Sequence, residues 1–142
     1  MMLKMIGEMK TMTTMIGKTN NKSLKQLFDV QVKNQNELIR RGAYDRFTLP
    51  EKLAQKAPID DVSLSSYHIQ QLISEIGEVL EADKRWKSHR NDKYDKDNKL
   101  EEIADCFIVL MNVAMFSGFD GDDLTDMIEK KLDIVSKRVS GL

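Results

Sequence analysis

The sequence is poor in cysteine, proline and glycine, and each shortage excludes a class of fold. Cys106 is the one cysteine in 142 residues, so the chain has no internal disulfide and suits a reducing compartment. Two prolines and seven glycines are few for a fold with many tight turns, and they favour helices. The net charge of -1 gives no general attraction to nucleic acid or to an anionic membrane.

Long hydrophobic runs are also missing. No stretch approaches the ~20 apolar residues that a membrane helix needs. Lys4, Glu8 and Lys10 interrupt the methionine-rich beginning, so it contains no apolar core of signal-peptide length. We therefore expect a cytoplasmic protein with neither a membrane nor a nucleic-acid partner. We interpret residues 1–20 as a frayed or disordered leader, although an upstream start codon, with the true start at Met12 or Met15, explains the methionines equally well.

What the sequence does contain is helical periodicity. Hydrophobic residues make up 41% and charged residues 32% of the chain, which is a globular composition. Apolar residues recur at helical spacing in four segments, and no segment has the alternation of a strand. The chain from residue 21 to 142 is therefore predicted to be one all-α, four-helix-bundle-like domain. Its helices are expected from about Ser23 to Arg41, from Ser65 or Ser66 to Trp86 or Lys87, from Leu100 to Phe116, and from Asp120 to about Arg138.

Two pairs of acids stand inside the second and third helices, on either side of a charged connector at residues 88–99. Glu75 and Glu78 are three residues apart on one flank of the second helix, and Glu102 and Asp105 have the same spacing on the third. From Cys106 onwards the third helix is apolar almost all round, so we expect it to be central and surrounded. Buried carboxylates cost several kcal/mol each unless they are paired or bound to metal.

Two such pairs, facing each other across antiparallel helices, would form an oxygen-rich site of the kind that Mg²⁺ or Mn²⁺ prefers. Mg²⁺ commonly binds through a few carboxylates and the phosphates of a substrate, which indicates a nucleotide polyphosphate. Taken singly, each pair is also compatible with ordinary surface acids or with acids that stabilise a helix start. A di-iron site would need Glu-x-x-His pairs, and neither His68 nor His89 stands at such a position.

The pattern Glu75-x-x-Glu78, a gap and Glu102-x-x-Asp105 resembles the MazG-like, all-α nucleoside triphosphate pyrophosphatase superfamily. The stretch from Ile73 to Ala82 is similar to the family's first acidic helix, and the stretch from Leu100 to Ala114, Asn112 included, is similar to its second. Trp86-Lys87 matches a Trp-Lys pair that often follows the first. Members include MazG, the dimeric dUTPases, the dCTP pyrophosphatases and phosphoribosyl-ATP pyrophosphatase. The resemblance covers roughly Tyr67 to Arg138.

This resemblance implies an oligomeric helical bundle, a homodimer or a homotetramer, that hydrolyses a nucleoside triphosphate between its α and β phosphates. It implies Mg²⁺ (or Mn²⁺) on Glu75, Glu78, Glu102 and Asp105, with Glu75 or Glu78 also positioning the attacking water. The residues that would contact substrate are Trp86, Lys87, Asn112, Lys131, Arg138, Gln31 and Gln35.

The chain departs from the family at one point, because Val135 or Ser136 stands where many members have an asparagine on the last helix. The base preference is open, and a dUTP- or dCTP-specific enzyme is one alternative. A non-catalytic helical module for oligomerisation or partner binding is the other, and it needs the acids only as surface charge.

Overall fold

The computed structural model describes residues 21–50, 53–54, 61–87 and 93–141. Within them the chain is all-α, as predicted, and contains no strand. The helices are α1 (Leu24–Arg40), α2 (Ser63–Ala82), α3 (Lys96–Phe116) and α4 (Gly121–Ser140), with a short 3-10 turn at Lys84–Trp86. The predicted leader at residues 1–20 and residues 88–92 of the charged connector lie outside the described residues.

Capping boxes begin the first and last helices. The Ser23 hydroxyl accepts a hydrogen bond from the Gln26 amide at 3.2 Å, and the Gln26 side chain accepts one from the Ser23 amide at 2.8 Å. Asp120 and Asp123 exchange the same two bonds at 2.8 and 3.1 Å. Each box satisfies two amides that would otherwise lack a partner at a helix start. These two helix starts are therefore where local sequence predicts them.

The bounds of α2 differ from the prediction at both ends. The helix begins at Ser63, before the expected serine caps at 65 or 66, and the Asp61 carboxylate accepts a hydrogen bond from the Ser63 amide at 2.9 Å. It ends at Ala82 instead of continuing to residue 86 or 87. The cause is Asp83, whose carboxylate accepts from the Arg85 amide at 3.3 Å and so starts the 3-10 turn.

α3 begins one turn earlier than predicted, at Lys96 instead of Leu100. Asp95 caps it, because its carboxylate accepts a hydrogen bond from the Asn98 amide at 3.0 Å. The charged connector is correspondingly shorter. Glu102 therefore lies in the second turn of the helix, beyond the first turn in which the helix dipole alone would favour an acid.

α2 and α3 form an antiparallel hairpin, and this is the most extensive helix–helix contact of the described chain. His68 near the start of α2 stacks on Phe116 at the end of α3, with ring centroids 4.7 Å apart. At the other end of the hairpin, Asp83 accepts a hydrogen bond from the Lys99 ammonium at 3.0 Å. α1 packs across α3 and also contacts α4.

The buried core gathers at the end of the hairpin where His68 lies. His68 is 1% exposed, and its Nε2 has no hydrogen-bond partner among the described residues. Around it aromatic rings meet mostly edge to face, including that of Tyr44 at 5.8 Å between centroids. The cluster also contains the buried residues Phe28, Leu53, Leu64, Met111, Met115 and Phe116.

The expectation that α3 is surrounded is wrong for the described chain. Leu100 is 64% exposed and Phe107 is 61% exposed, so one face of this apolar helix is open. The reason is that α1 and α2 together cover only part of its circumference. Within the described residues no single helix is long and apolar enough to cross a membrane. Taken together, α3 and α4 have the length and composition of a membrane span, but the chain bends by 114° between them.

Candidate metal site

Three of the four predicted acids come together across the α2–α3 hairpin. Glu75 of α2 and Glu102 and Asp105 of α3 each offer one carboxylate oxygen, and these three oxygens lie within 4.8 Å of one another. Glu75 and Glu102 are half-buried, whereas Asp105 is exposed, so the expectation that this acid is buried is wrong. The site opens to solvent on one side and is walled by the two helices on the other.

Glu78 stands apart from this group. It is exposed, one turn beyond Glu75 on α2, and does not offer an oxygen to the cluster of three. Its charge is nevertheless close enough to raise the pKa of Glu102. Glu78 therefore borders the cluster without converging on the same point.

The cluster carries more negative charge than its surroundings compensate. Partial desolvation raises the pKa of Glu102 above its usual range, and the charges of Glu78, Asp105 and Glu75 raise it further. Burial, with Glu75 nearby, also raises the pKa of the Cys106 thiol. Among the described residues no lysine or arginine forms an ion pair with any of the four acids. A cation would relieve the repulsion.

The donor set fits a hard divalent cation. Mg²⁺ binds carboxylate oxygens at about 2.1 Å, which places two ligands of one octahedral ion no more than about 4.2 Å apart. The three oxygens lie within 4.8 Å of one another, close to this limit, and small rotations of half-buried or exposed carboxylates can bring them onto one ion. All three donors are oxygens, the preferred ligands of Mg²⁺ and Mn²⁺, and no histidine lies among them.

The predicted amides form hydrogen bonds inside the protein. Gln31 of α1 donates from Nε2 to Oδ1 of Asn112 on α3 at 2.8 Å, and Asn112 is 5% exposed. Gln35 is 4% exposed and accepts the hydroxyl proton of Tyr44. Both bonds give these amides a structural role, and Asn112 lies two turns further along α3 than Asp105.

Trp86 and Lys87 lie at the surface beyond the end of α2. Trp86 is 55% exposed, and its indole N–H donates to the Leu80 carbonyl at 3.1 Å. The Lys87 ammonium lies 5.0 Å from the centre of the indole ring and 3.9 Å from the Glu81 carboxylate. The tryptophan is therefore not a core residue, and a large part of its ring is accessible.

Lys131 and Arg138 stand on α4, whose main packing is against α1 and not against the acidic hairpin. Both are exposed, and neither forms an ion pair with a described residue. At about 100° per residue, both residues lie on the side of α4 that carries its apolar side chains, and not on its polar side. Lys137, in contrast, pairs with Asp133 at 2.8 Å.

One group of residues was missed by the motif analysis. The side chain of Asp83 accepts from the Arg85 guanidinium at 2.7 Å and from the Lys99 ammonium at 3.0 Å, and Arg85 holds the pKa of this carboxyl well below its usual range. The Arg85 guanidinium also lies 3.7 Å above the Tyr94 ring. This group ties the end of α2 to the start of α3 and so fixes how the two acidic helices align. The Asp-x-Arg part is readable locally, but Lys99 is 16 residues away and gives no local signal.

Comparisons with protein-family models, with curated proteins and with solved structures gave no match to this chain.

Proposed function

We propose that this protein is a Mg²⁺-dependent nucleoside triphosphate pyrophosphohydrolase, which cleaves its substrate to a nucleoside monophosphate and pyrophosphate. The observation that carries the proposal is the convergence of Glu75, Glu102 and Asp105, from two helices, to within 4.8 Å. The sequence resemblance of both acidic helices to the MazG-like family supports the same chemistry. The uncompensated charge of the cluster gives the site a reason to take a cation.

In this proposal Glu75, Glu102 and Asp105 would hold the metal. When bound, Mg²⁺ would act as a Lewis acid that polarises the phosphate oxygens and makes the attacking water easier to deprotonate. Glu78 borders the cluster and is exposed to solvent, so its carboxylate can orient the attacking water and accept its proton. The water oxygen bonds to the α-phosphorus, the bond from that phosphorus to the bridging oxygen breaks, and pyrophosphate leaves.

Other side chains would hold the substrate on either side of the scissile bond. Trp86 exposes enough of its ring to stack on a base. Lys131 and Arg138 have no described carboxylate partner and would contact the pyrophosphate, as the family resemblance implies. Mn²⁺ is an alternative metal, since it takes the same oxygen ligands.

The test is release of pyrophosphate from a panel of deoxynucleoside and ribonucleoside triphosphates, with Mg²⁺ and with EDTA. We expect Mg²⁺-dependent release from at least one nucleotide. Asp105→Ala and Glu78→Ala should each abolish most of it. Glu101→Ala is the matched control, because this exposed acid on α3 is outside the converging group. Intact activity in Asp105→Ala would show that the metal assignment is wrong, and no release from any nucleotide would reject the enzyme.

A second candidate function is a non-catalytic helical module for oligomerisation. It is favoured by the many large apolar side chains that α2, α3 and α4 leave exposed, such as Ile73 at 66% and Val139 at 65%. This candidate predicts no pyrophosphate release and no effect of Mg²⁺ on the melting temperature. The two candidates therefore give opposite results in the same assay.

A further inference from the structure

Lys99 is the cation that stands closest, along the two acidic helices, to the three converging acids. α2 contains no lysine or arginine, and α3 contains only Lys96 and Lys99. Lys99 precedes Glu102 by three residues, a spacing at which side chains of opposite charge pair on a helix. Because Cβ atoms tilt towards the start of a helix, the Glu102 side chain leans towards Lys99. The Lys99 ammonium could therefore occupy the place of a metal ion.

The Lys99 ammonium is instead bound to Asp83, the residue that directly follows α2. Its Nζ donates to Oδ2 of Asp83 at 3.0 Å, and it forms no ion pair with any other described acid. The cluster of Glu75, Glu102 and Asp105 thus receives no cation from the two helices that carry it. It stays accessible to an ion from solution because the nearest ammonium is held elsewhere.

Asp83 is itself fixed in the position in which it holds Lys99. The Arg85 Nε donates to Oδ1 of Asp83 at 2.8 Å, and the Arg85 Nη2 donates to Oδ2 at 2.7 Å. The Arg85 guanidinium in turn lies 3.7 Å from the centre of the Tyr94 ring. The Asp83 side chain is only 8% exposed, so water screens its attraction to Lys99 less than it screens a surface ion pair.

We propose that Asp83 keeps the metal site open by holding the Lys99 ammonium away from Glu102. Without the charge of Asp83, the ammonium would turn to Glu102, and a metal ion would have to displace it. Asp83 is then a positioning residue, since it contacts neither the metal nor the substrate. The inference rests on the metal site of the proposed function, but it does not depend on hydrolysis of a nucleotide.

The test is Mn²⁺ binding to the full chain, measured by the loss of the electron paramagnetic resonance signal of the free ion. Asp83→Asn, Lys99→Gln and the double variant all lose the same ion pair, but only Asp83→Asn leaves an unpaired ammonium beside the acids. We expect Asp83→Asn to bind Mn²⁺ about 5-fold more weakly than either of the other two variants, the loss expected from one competing ion pair.

Lys96→Gln, combined with Asp83→Asn, is the matched control for the double variant. It gives the same net charge but removes an exposed lysine that is six residues from Glu102. We expect this combination to bind Mn²⁺ as weakly as Asp83→Asn alone. If Lys96→Gln restored binding as well as Lys99→Gln does, general charge would be the cause and the proposal would be overturned.

Helicity and melting temperature in EDTA establish that each variant folds. Asp83→Ser is a second variant with the same predicted weakening, because a serine at this position can still cap the 3-10 turn. If the Asp83–Lys99 bond only aligned the helices, Asp83→Asn, Lys99→Gln and their double variant would bind Mn²⁺ equally weakly, and this result would overturn the proposal. Capture of the released ammonium by Asp95, four residues before Lys99, would also abolish the difference and overturn it.

The same titration separates this proposal from the proposed function. A wild-type protein that binds no Mn²⁺ would reject the metal site and this proposal together. Equal binding by the wild type and Asp83→Asn would reject this proposal alone. An absence of pyrophosphate release would reject only the enzyme, since a 5-fold difference between the variants in metal binding supports the role of Asp83 without any hydrolysis.

Discussion

Gln31 and Asn112 join α1 to α3 through one side-chain hydrogen bond, in which the Gln31 Nε2 donates to the Asn112 Oδ1 at 2.8 Å. Asn112 is the only buried polar residue of α3 within the described chain. The bond lies on the side of the hairpin that α1 covers. It connects an amide of the first helix to the helix that supplies two of the three converging acids.

This bond predicts a measurable coupling between the two residues. Gln31→Ala and Asn112→Ala should each destabilise the protein, and their double-mutant cycle in urea unfolding should give about 1 kcal/mol of interaction free energy. The exposed Asn36→Ala, also an amide on α1, should change the unfolding free energy by less than about 0.5 kcal/mol. A coupling near zero would mean that the two amides contribute independently, as residues that only contact substrate would.

Neutralising one acid of the cluster should stabilise the metal-free protein. The pKa of Glu102 is raised in the folded state, so its contribution to stability is present below its ordinary value of 4.5 and is lost as pH rises. Glu102→Gln should therefore raise the melting temperature by a few degrees in EDTA at neutral pH. It should also remove most of the stabilisation that Mg²⁺ gives the wild type.

Glu101→Gln is the control for that experiment, because it removes the same charge from an exposed neighbouring position. We expect a smaller change in melting temperature and an undiminished response to Mg²⁺. An unaltered Mg²⁺ response in Glu102→Gln would contradict the metal site.

The cations of α4 give a prediction about substrate binding. Lys131→Gln should lower kcat/KM for the preferred nucleotide by about 10- to 100-fold, the loss expected for a charged hydrogen bond to phosphate. Lys130→Gln, one residue away and on the polar side of the helix, should change kcat/KM little. Equal losses in both variants would show that general charge, and not a specific contact, is responsible.

His68 gives the folded protein a dependence on pH. Desolvation lowers the pKa of His68 below its ordinary value of 6.5, although its hydrogen bond with Gln71 opposes this. The folded state therefore disfavours the protonated ring, and the unfolding free energy should fall as pH decreases below about 6.5, by at most about 1.4 kcal/mol per pH unit from this residue. In His68→Phe, this part of the dependence of the unfolding free energy on pH should disappear. If His68→Phe kept the wild-type dependence between pH 7 and 5, His68 would be excluded as the cause.

Local sequence predicted the features that depend on neighbours three or four residues apart. The Ser23–Gln26 and Asp120–Asp123 boxes are of this kind, because a capping box is closed by two residues of the same turn. The i, i+3 spacing of Glu102 and Asp105 likewise places both on one side of α3 in any helical structure. The ends of α2 were predicted less well, since Asp83 could extend the helix or cap a new turn, and its distant partner Lys99 favours the second outcome.

The sequence by itself determined an all-α chain with two acidic helices, because helical periodicity and acid spacing are properties of short segments. Only the tertiary structure decided which acids meet. The antiparallel alignment of α2 and α3, held by the His68–Phe116 stack and the Asp83–Lys99 bond, brings Glu75 to Glu102 and Asp105 and leaves Glu78 at the border. It also decided that α3 keeps an open apolar face, since how much of a helix is covered depends on how many neighbours pack around it.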